Sequence, residues 1–347
     1  MKILILGVNG FIGHHLTEKL LIGGHEVYGM DLSSDRLDKF KNNQDFNFIE
    51  GDISINKEWI EYHIKKCDVV FPLVAIATPS LYVKEPLRVF ELDFEENLEI
   101  IRMCVKYDKR LIFPSTSEVY GMSSDTEFHP ETTNLVLGPI SKSRWIYSAS
   151  KQLLDRVIHA YGERGFNYTL FRPFNWFGPG LDNILEPREG ASRVSTQFLG
   201  NIARGRDILL VDGGLQRRAF TYISDGIDAL IKIVESAGTT NRKIYNIGNP
   251  NNDASILELA NLMTGICRST GAFGGNASNT RILSVSSTEY YGQGYQDVQS
   301  RVPYVDNLKE IGWSPRVSLN CGLTSLIEYY SATLCEADSL VSLESYT

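Results

Sequence analysis

In Tyr147-Ser148-Ala149-Ser150-Lys151 a phenol and an ammonium stand four residues apart, which places them on one face of a helix. A nearby cation favours the phenolate, and a phenolate can take a hydroxyl proton while hydride leaves the same carbon. The spacing also arises by chance on amphipathic helices, so its meaning depends on its company. That company is Pro114-Ser115-Thr116-Ser117-Glu118-Val119-Tyr120-Gly121, directly after the apolar run Arg110–Pro114, which reads as a strand. Active sites of open α/β sheets lie beyond the carboxyl ends of strands, where Thr116, Ser117 and Glu118 would project.

A second group points to a dinucleotide. Gly7-Val8-Asn9-Gly10-Phe11-Ile12-Gly13 falls between a strand and a helix, and its missing side chains let the backbone turn tightly and approach a pyrophosphate at the helix N-terminus. Asp31 ends the second strand 18 residues past Gly13, where a carboxylate accepts from ribose hydroxyls and repels a 2′-phosphate. NAD is therefore expected rather than NADP. Asp52-Ile53, after the third strand, reads equally as an adenine contact and as a simple Asx turn.

The elements that must position these residues follow from apolar periodicity. Lys2–Leu6, His25–Met30, Asn47–Glu50, Asp68–Pro72, Arg110–Pro114 and Phe166–Arg172 read as strands, with helices at Phe11–Leu21 and Leu87–Val105. This alternation predicts an α/β chain, a Rossmann-type doubly wound parallel sheet with a smaller C-terminal α/β substrate domain. Beyond Pro173 the pattern loosens into a helix at Arg193–Ala203, strands near Ile208–Val211 and Ile244–Ile247, and a helix opened by Ser255 and Glu258 as a capping box. The expected division is 1–173 for the cofactor and 174–332 for the substrate, the chain crossing between them. Residues 333–347, without clear period, are expected to form a frayed tail.

With 347 residues, 43% hydrophobic and 22% charged, the chain can bury a large core and is neither disordered nor low-complexity. A net charge of −8 without long blocks argues against nucleic-acid binding through bulk electrostatics. Five scattered cysteines with no C-x-x-C pair suggest neither a disulfide framework nor a zinc site, and a reducing cytoplasm fits best. No signal peptide or membrane span is read, and the histidines, including the adjacent His14 and His15, read as packing or surface residues rather than metal ligands.

The glycine triplet, the Ser/Thr segment and the Tyr-Lys pair together resemble the extended short-chain dehydrogenase/reductases that modify nucleotide sugars. Pro72-Leu73-Val74-Ala75-Ile76-Ala77-Thr78-Pro79, Glu91-Leu92-Asp93-Phe94-Glu95-Glu96-Asn97, Arg144-Trp145-Ile146-Tyr147, Phe171-Arg172-Pro173-Phe174-Asn175-Trp176 and Gly294-Tyr295-Gln296-Asp297-Val298 resemble most closely one branch of the UDP-glucuronate decarboxylases. That branch is the decarboxylase domain of bifunctional polymyxin-resistance enzymes, whose formyltransferase domain has no counterpart expected here. The likeness runs from Lys2 to Tyr330 and is weakest between Ile266 and Thr280. A stand-alone decarboxylase is expected, because the dinucleotide fingerprint starts at residue 7.

Within the superfamily, sugar 4,6-dehydratases resemble S-T-D-E-x-Y-G after the fifth strand and decarboxylases resemble S-T-S-E-x-Y-G. Ser117-Glu118 follows the second pattern, and a hydroxyl at 117 would not repel a substrate carboxylate as a second acid would. The resemblance implies catalytic roles for Thr116, Ser117, Glu118, Tyr147, Lys151 and Arg301, with Arg301 forking onto a sugar carboxylate. It implies cofactor contacts from Gly7, Gly10, Phe11, Ile12, Gly13, Asp31, Asp52, Ile53, Ala75, Thr78, Tyr147 and Lys151. It further implies UDP-glucuronate contacts from Ala75, Tyr82, Glu118 and Arg144, diphosphate contacts from Asn175, Arg193 and Arg218, and sugar contacts from Tyr295 and Arg301. A homodimer is implied through helices near Leu87–Val105 and Tyr147–Glu163. One departure is Leu209, where the resemblance leads to a lysine. The expected product is UDP-4-keto-pentose, with UDP-xylose, a dehydratase or epimerase reaction, and a non-catalytic dinucleotide sensor as alternatives.

Overall fold

The computed structural model describes residues 1–184, 193–291, 296–298 and 300–344, with side chains to residue 334. Six strands run β1 (Lys2–Leu6), β2 (Glu26–Asp31), β3 (Phe46–Glu50), β4 (Val69–Pro72), β5 (Arg110–Pro114) and β6 (Tyr168–Pro173). With the strand Lys243–Ile247 they form one seven-stranded sheet, ordered β3, β2, β1, β4, β5, β6 and then Lys243–Ile247. Every pairing in it is parallel. This is the Rossmann-type α/β architecture that the alternating strands and helices predict.

Apolar residues fill both faces of the sheet because a parallel sheet is covered twice. Ile3 and Ile5 of β1 pack on one side with Leu16, Leu20, Ile227 and Leu230, from the helices Phe11–Ile22 and Ile223–Glu235. Leu4 and Leu6 pack on the other with Ile60, Ile64, Ile100, Leu154 and Ile158. A separate core joins the helices Val194–Ala203, Ile256–Thr270 and Leu319–Glu344 through Phe198, Ile202, Leu259, Met263, Leu323 and Leu326. The chain crosses between the two cores, since Ile223–Glu235 and Lys243–Ile247 return to the large sheet.

The Ser255 capping box is present: Ser255 Oγ accepts from the Glu258 amide at 3.0 Å, and Glu258 Oε2 accepts from the Ser255 amide at 2.7 Å. Two expectations are corrected. The stretch read as one regular helix, Leu87–Val105, contains a π-turn at Glu91–Glu96 between Pro86–Phe90 and Asn97–Lys106. Of the stretch 333–347 read as a frayed tail, residues 333–344 continue the helix Leu319–Glu344, there being no Gly or Pro after Gly322 to stop it, and 345–347 lie outside the described residues. Among the described residues no helix is long and apolar enough to cross a membrane, and no cluster of ligands could hold a metal.

Candidate active site

The glycine turn is shaped by close approach. Gly7 has φ +90° and lies against the backbone of Leu73 and Val74, so a Cβ there would be 3.1 Å from both. A Cβ on Gly13 would run into the Gly7 carbonyl and lie 2.8 Å from Val8 Cα. The helix Phe11–Ile22 can therefore start directly over β1, with its N-terminal amides available to an anion. Asp31 at the end of β2 accepts from the amides of Asn9 and Leu32, each at 2.8 Å. Burial raises its carboxyl against those bonds. Phe11 and Ile12 pack part-buried against the core. Asp52 takes the Asx-turn form, accepting from Ser54 N and Oγ at 2.8 Å, while Ile53 is packed into the core. Ala75 and Thr78 lie half-buried beyond β4. The glycine turn and Asp31 fit a dinucleotide chemically: the turn would offer backbone amides to a diphosphate, and Asp31 would offer a carboxylate to a ribose.

Beyond β5, Thr116 caps the short helix Ser117–Tyr120, its Oγ1 accepting from the Glu118 amide at 3.2 Å. The helix Trp145–Gly162 brings Tyr147 and Lys151 beneath it. Tyr147 is buried, hydrogen-bonded to Thr116, and stacked on Tyr82 with ring centroids 4.6 Å apart and 7° between planes. Lys151 Nζ donates to the Pro114 carbonyl at 3.1 Å. Burial first, then the negative charges of Asp93 and Glu118, push the Tyr147 phenol up. Burial lowers the Lys151 ammonium, against the pull of Asp93 and Asp155.

Glu118 joins the segment after β5 to two arginines distant in sequence. Arg144 Nη2 donates to Oε2 at 2.7 Å, and Arg301 Nη1 donates to Oε1. Burial alone would raise the Glu118 carboxyl, but Arg301 and then Arg144 outweigh it and hold it at about 2. Arg144 also donates to the Gln296 carbonyl at 2.7 Å and lies over the Trp145 ring. Arg218, whose charge also reaches Glu118, pairs with Asp297 at 2.6 Å. Thus Thr116, Ser117, Glu118, Tyr147, Lys151, Arg144, Arg301 and Tyr82 are gathered at the carboxyl ends of β4 and β5.

The remaining expected residues lie around this centre. Asn175, with φ +42°, donates to the Ala219 carbonyl at 3.2 Å. Arg193 precedes the helix Val194–Ala203, pairs with Asp182, and its charge reaches Tyr147. Tyr295 lies outside the described residues. Leu209 pairs with Leu283 in the small parallel sheet of Ile208–Val211 and Ile282–Val285.

Residues that the sequence did not single out complete the floor. Asp155, one turn after Lys151, accepts from Ser115 Oγ at 2.7 Å and Arg172 Nη2 at 3.0 Å. Asp93, inside the π-turn, is fully buried and accepts from the Ile76 amide at 3.0 Å. Asp93 lay within the stretch Glu91–Asn97 that carries the family resemblance, but no role was assigned to it there.

Fold and site together define a dinucleotide-dependent α/β enzyme with a Tyr-Lys pair. The chain belongs to the NAD dependent epimerase/dehydratase family, which it matches over residues 3–248, and NAD is its cofactor. It is similar to the PbgP3 protein from Burkholderia pseudomallei at 54% identity, covering 97% of this chain and 98% of that one, TM-score 0.88. It is also similar to UDP-glucose 4-epimerase from Thermotoga maritima, solved with UDP-glucose, at 25% identity over 96% of this chain and 100% of that one, TM-score 0.78. A dTDP-glucose 4,6-dehydratase from Bacillus anthracis, in complex with NAD, shares the fold at 19% identity and TM-score 0.76, over 96% of this chain and 97% of that one.

Proposed function

We propose that this enzyme is an NAD-dependent UDP-glucuronate decarboxylase that oxidises C4 and then releases the sugar carboxylate as carbon dioxide. The observation that carries the reading is Glu118 held between Arg144 and Arg301 directly after Ser117. Two buried guanidiniums are a fit receptor for a carboxylate, and a hydroxyl at 117 leaves room for one without a second acid to repel it.

When bound, NAD supplies the hydride acceptor for C4. Tyr147, as the phenolate that the Lys151 ammonium four residues on in the same helix would favour, takes the C4 hydroxyl proton, while Thr116 aligns the hydroxyl. The C4 ketone then stands β to the carboxylate. Carbon dioxide leaves as its bonding electrons move into an enolate that Tyr147 and Thr116 hydrogen-bond. Arg301 and Arg144 orient the carboxylate, and Glu118 fixes both guanidiniums. Because Glu118 is ionised and a guanidinium is a very weak acid, the proton reaching C5 comes from a water held by Arg301.

The test incubates purified protein with UDP-glucuronate and NAD, recording NADH absorbance and carbon dioxide in one sample. Equal amounts of both support oxidative decarboxylation to UDP-4-keto-pentose. Carbon dioxide with little NADH means that hydride returns to C4 and gives UDP-xylose. Neither signal, with NAD bound and a neutral UDP-hexose converted instead, overturns the reading in favour of an epimerase or dehydratase.

A further inference from the structure

Glu118 and Arg301 meet from two segments that reach the site by separate routes, so a receptor built on their pairing needs both segments held in register. The Arg301 side chain is 4% exposed, its Nη1 donates to Glu118, and its Nε is buried without a hydrogen-bond partner. Its own segment is tied down through the backbone. The Phe128 amide donates to the Val302 carbonyl at 2.8 Å, the Tyr304 amide to the Phe128 carbonyl at 3.0 Å, and the Ala219 amide to the Arg301 carbonyl at 3.4 Å. Where Arg301 stands therefore depends on where Phe128 stands.

One buried side chain reaches both segments. Asn246, on the strand Lys243–Ile247 at the edge of the large sheet, is fully buried. Its Oδ1 accepts at 2.7 Å from the hydroxyl of Tyr120, two residues past Glu118, and its Nδ2 donates to the Phe128 carbonyl at 2.7 Å. The orientation of the amide is forced. A guanidinium only donates, so the Tyr120 hydroxyl accepts from Arg172 Nη1 at 2.8 Å and has its proton left for Asn246, whereas the Phe128 carbonyl only accepts. Behind Asn246 the frame is closed as well. Arg172, its register partner on β6, donates to Asp155 at 3.0 Å, and Asp155 accepts at 2.7 Å from Ser115 Oγ, one residue before Thr116. The Tyr120 and Phe128 rings pack with centroids 4.6 Å apart. Buried hydrogen bonds thus run from Ser115 through Asp155, Arg172, Tyr120 and Asn246 to Phe128, and such a network specifies one arrangement of the segments it joins.

We propose that Asn246 is a positioning residue that sets Arg301 against Glu118, acting through the Tyr120 hydroxyl on one side and the Phe128 carbonyl on the other. It makes the enzyme selective for a sugar that carries a carboxylate, because a guanidinium displaced from its place loses the bidentate geometry that a carboxylate requires. The proposal rests on the reading that Arg301 receives the carboxylate of UDP-glucuronate.

The first arm titrates NADH-loaded protein, in which C4 cannot be oxidised, with UDP-glucuronate and with UDP-glucose in a calorimeter. Asn246→Leu keeps the branched shape and makes neither bond. Tyr120→Phe keeps the ring on Phe128 without the hydroxyl, and it carries both arms if Asn246→Leu fails to fold. Each variant should bind UDP-glucuronate about tenfold more weakly and UDP-glucose within about twofold of wild type. In an Arg301→Met background neither should weaken UDP-glucuronate further, because the cation that they position is gone. Equal weakening of both ligands, which a merely structural role produces, or a loss that adds in full to that of Arg301→Met, overturns the proposal. The second arm needs no ligand and compares denaturant unfolding of the two single variants and the double variant. Their effects should depart from additivity by about fivefold or more in the unfolding constant, and additive effects overturn the proposal. If wild type does not prefer UDP-glucuronate to UDP-glucose, the decarboxylase reading fails, while the unfolding cycle still decides whether Asn246 holds Arg301.

Discussion

Arg301 donates to Glu118 Oε1 across 183 residues of sequence, and the pair is closed from the other side by Arg144 on Oε2. The arginine side chains are 4% and 2% exposed, so neither guanidinium can turn to water for compensation. A buried ion pair of this kind adds little net stability when complete but is costly to break.

Glu118→Gln should cost about 3 kcal/mol at neutral pH, because it leaves two buried cations facing a neutral amide. The Glu118 carboxyl is held at about 2, below its ordinary 4.5, so the folded form binds fewer protons than the unfolded one in that interval. Its stabilisation is complete above 4.5 and is lost as pH falls toward 2. Thermal melts taken down to about pH 3 should show a smaller acid-dependent loss for the variant than for wild type. Equal losses would show that the ionised carboxylate is not what the arginines require.

Tyr147→Phe should keep the fold, since the stack on Tyr82 needs only the ring. It should lower C4 oxidation by roughly a hundred- to ten-thousandfold, the usual worth of a positioned acid-base group. NADH production read beside NAD binding separates the two effects. Normal turnover would remove the phenol from the chemistry.

Gly13→Ala places a methyl against the Gly7 carbonyl and 2.8 Å from Val8 Cα. Helix propensity alone would make alanine better here by about 0.5–1 kcal/mol. Steric displacement of the glycine turn should dominate and weaken NAD binding by more than about tenfold, as measured by fluorescence titration. Unchanged or tighter binding would mean that propensity wins and the turn is not a cofactor cradle.

Asp93→Asn carries a stability signature of the opposite sign to Glu118→Gln. Burial raises the Asp93 carboxyl to about 6 from 3.8, against the pull of Lys151, so the folded state holds its proton more tightly than the unfolded state. Wild type therefore loses stability as pH rises through that interval, and asparagine does not. The variant should be more stable by on the order of 1–3 kcal/mol at neutral pH and equal to wild type near pH 4. Denaturant titrations at the two pH values decide it, and a less stable variant at neutral pH would contradict the raised carboxyl.

Most of the sheet was legible in the sequence, because strands such as Ile3–Leu6 and turns such as Gly7–Gly13 are set by neighbours within a few residues. The capping box at Ser255 and Glu258 was legible for the same reason. The Tyr147 and Lys151 pairing on one helical face follows from the 3.6-residue period, and Arg301 was found only by resemblance to a family motif. What tertiary structure alone decided was the charge state of the site. Glu118 is ionised because Arg144 and Arg301 meet it from other elements, and the Tyr147 phenol is pushed up because burial, Asp93 and Glu118 outweigh the cations around it. Asp93 itself was hidden within a stretch that reads as a regular helix, since a π-turn is a response to packing and to bonds with Ile76 and Val74 rather than to local propensity. Local preferences act over one turn of chain, whereas the energy of a buried charge depends on whatever groups folding brings within a few ångströms.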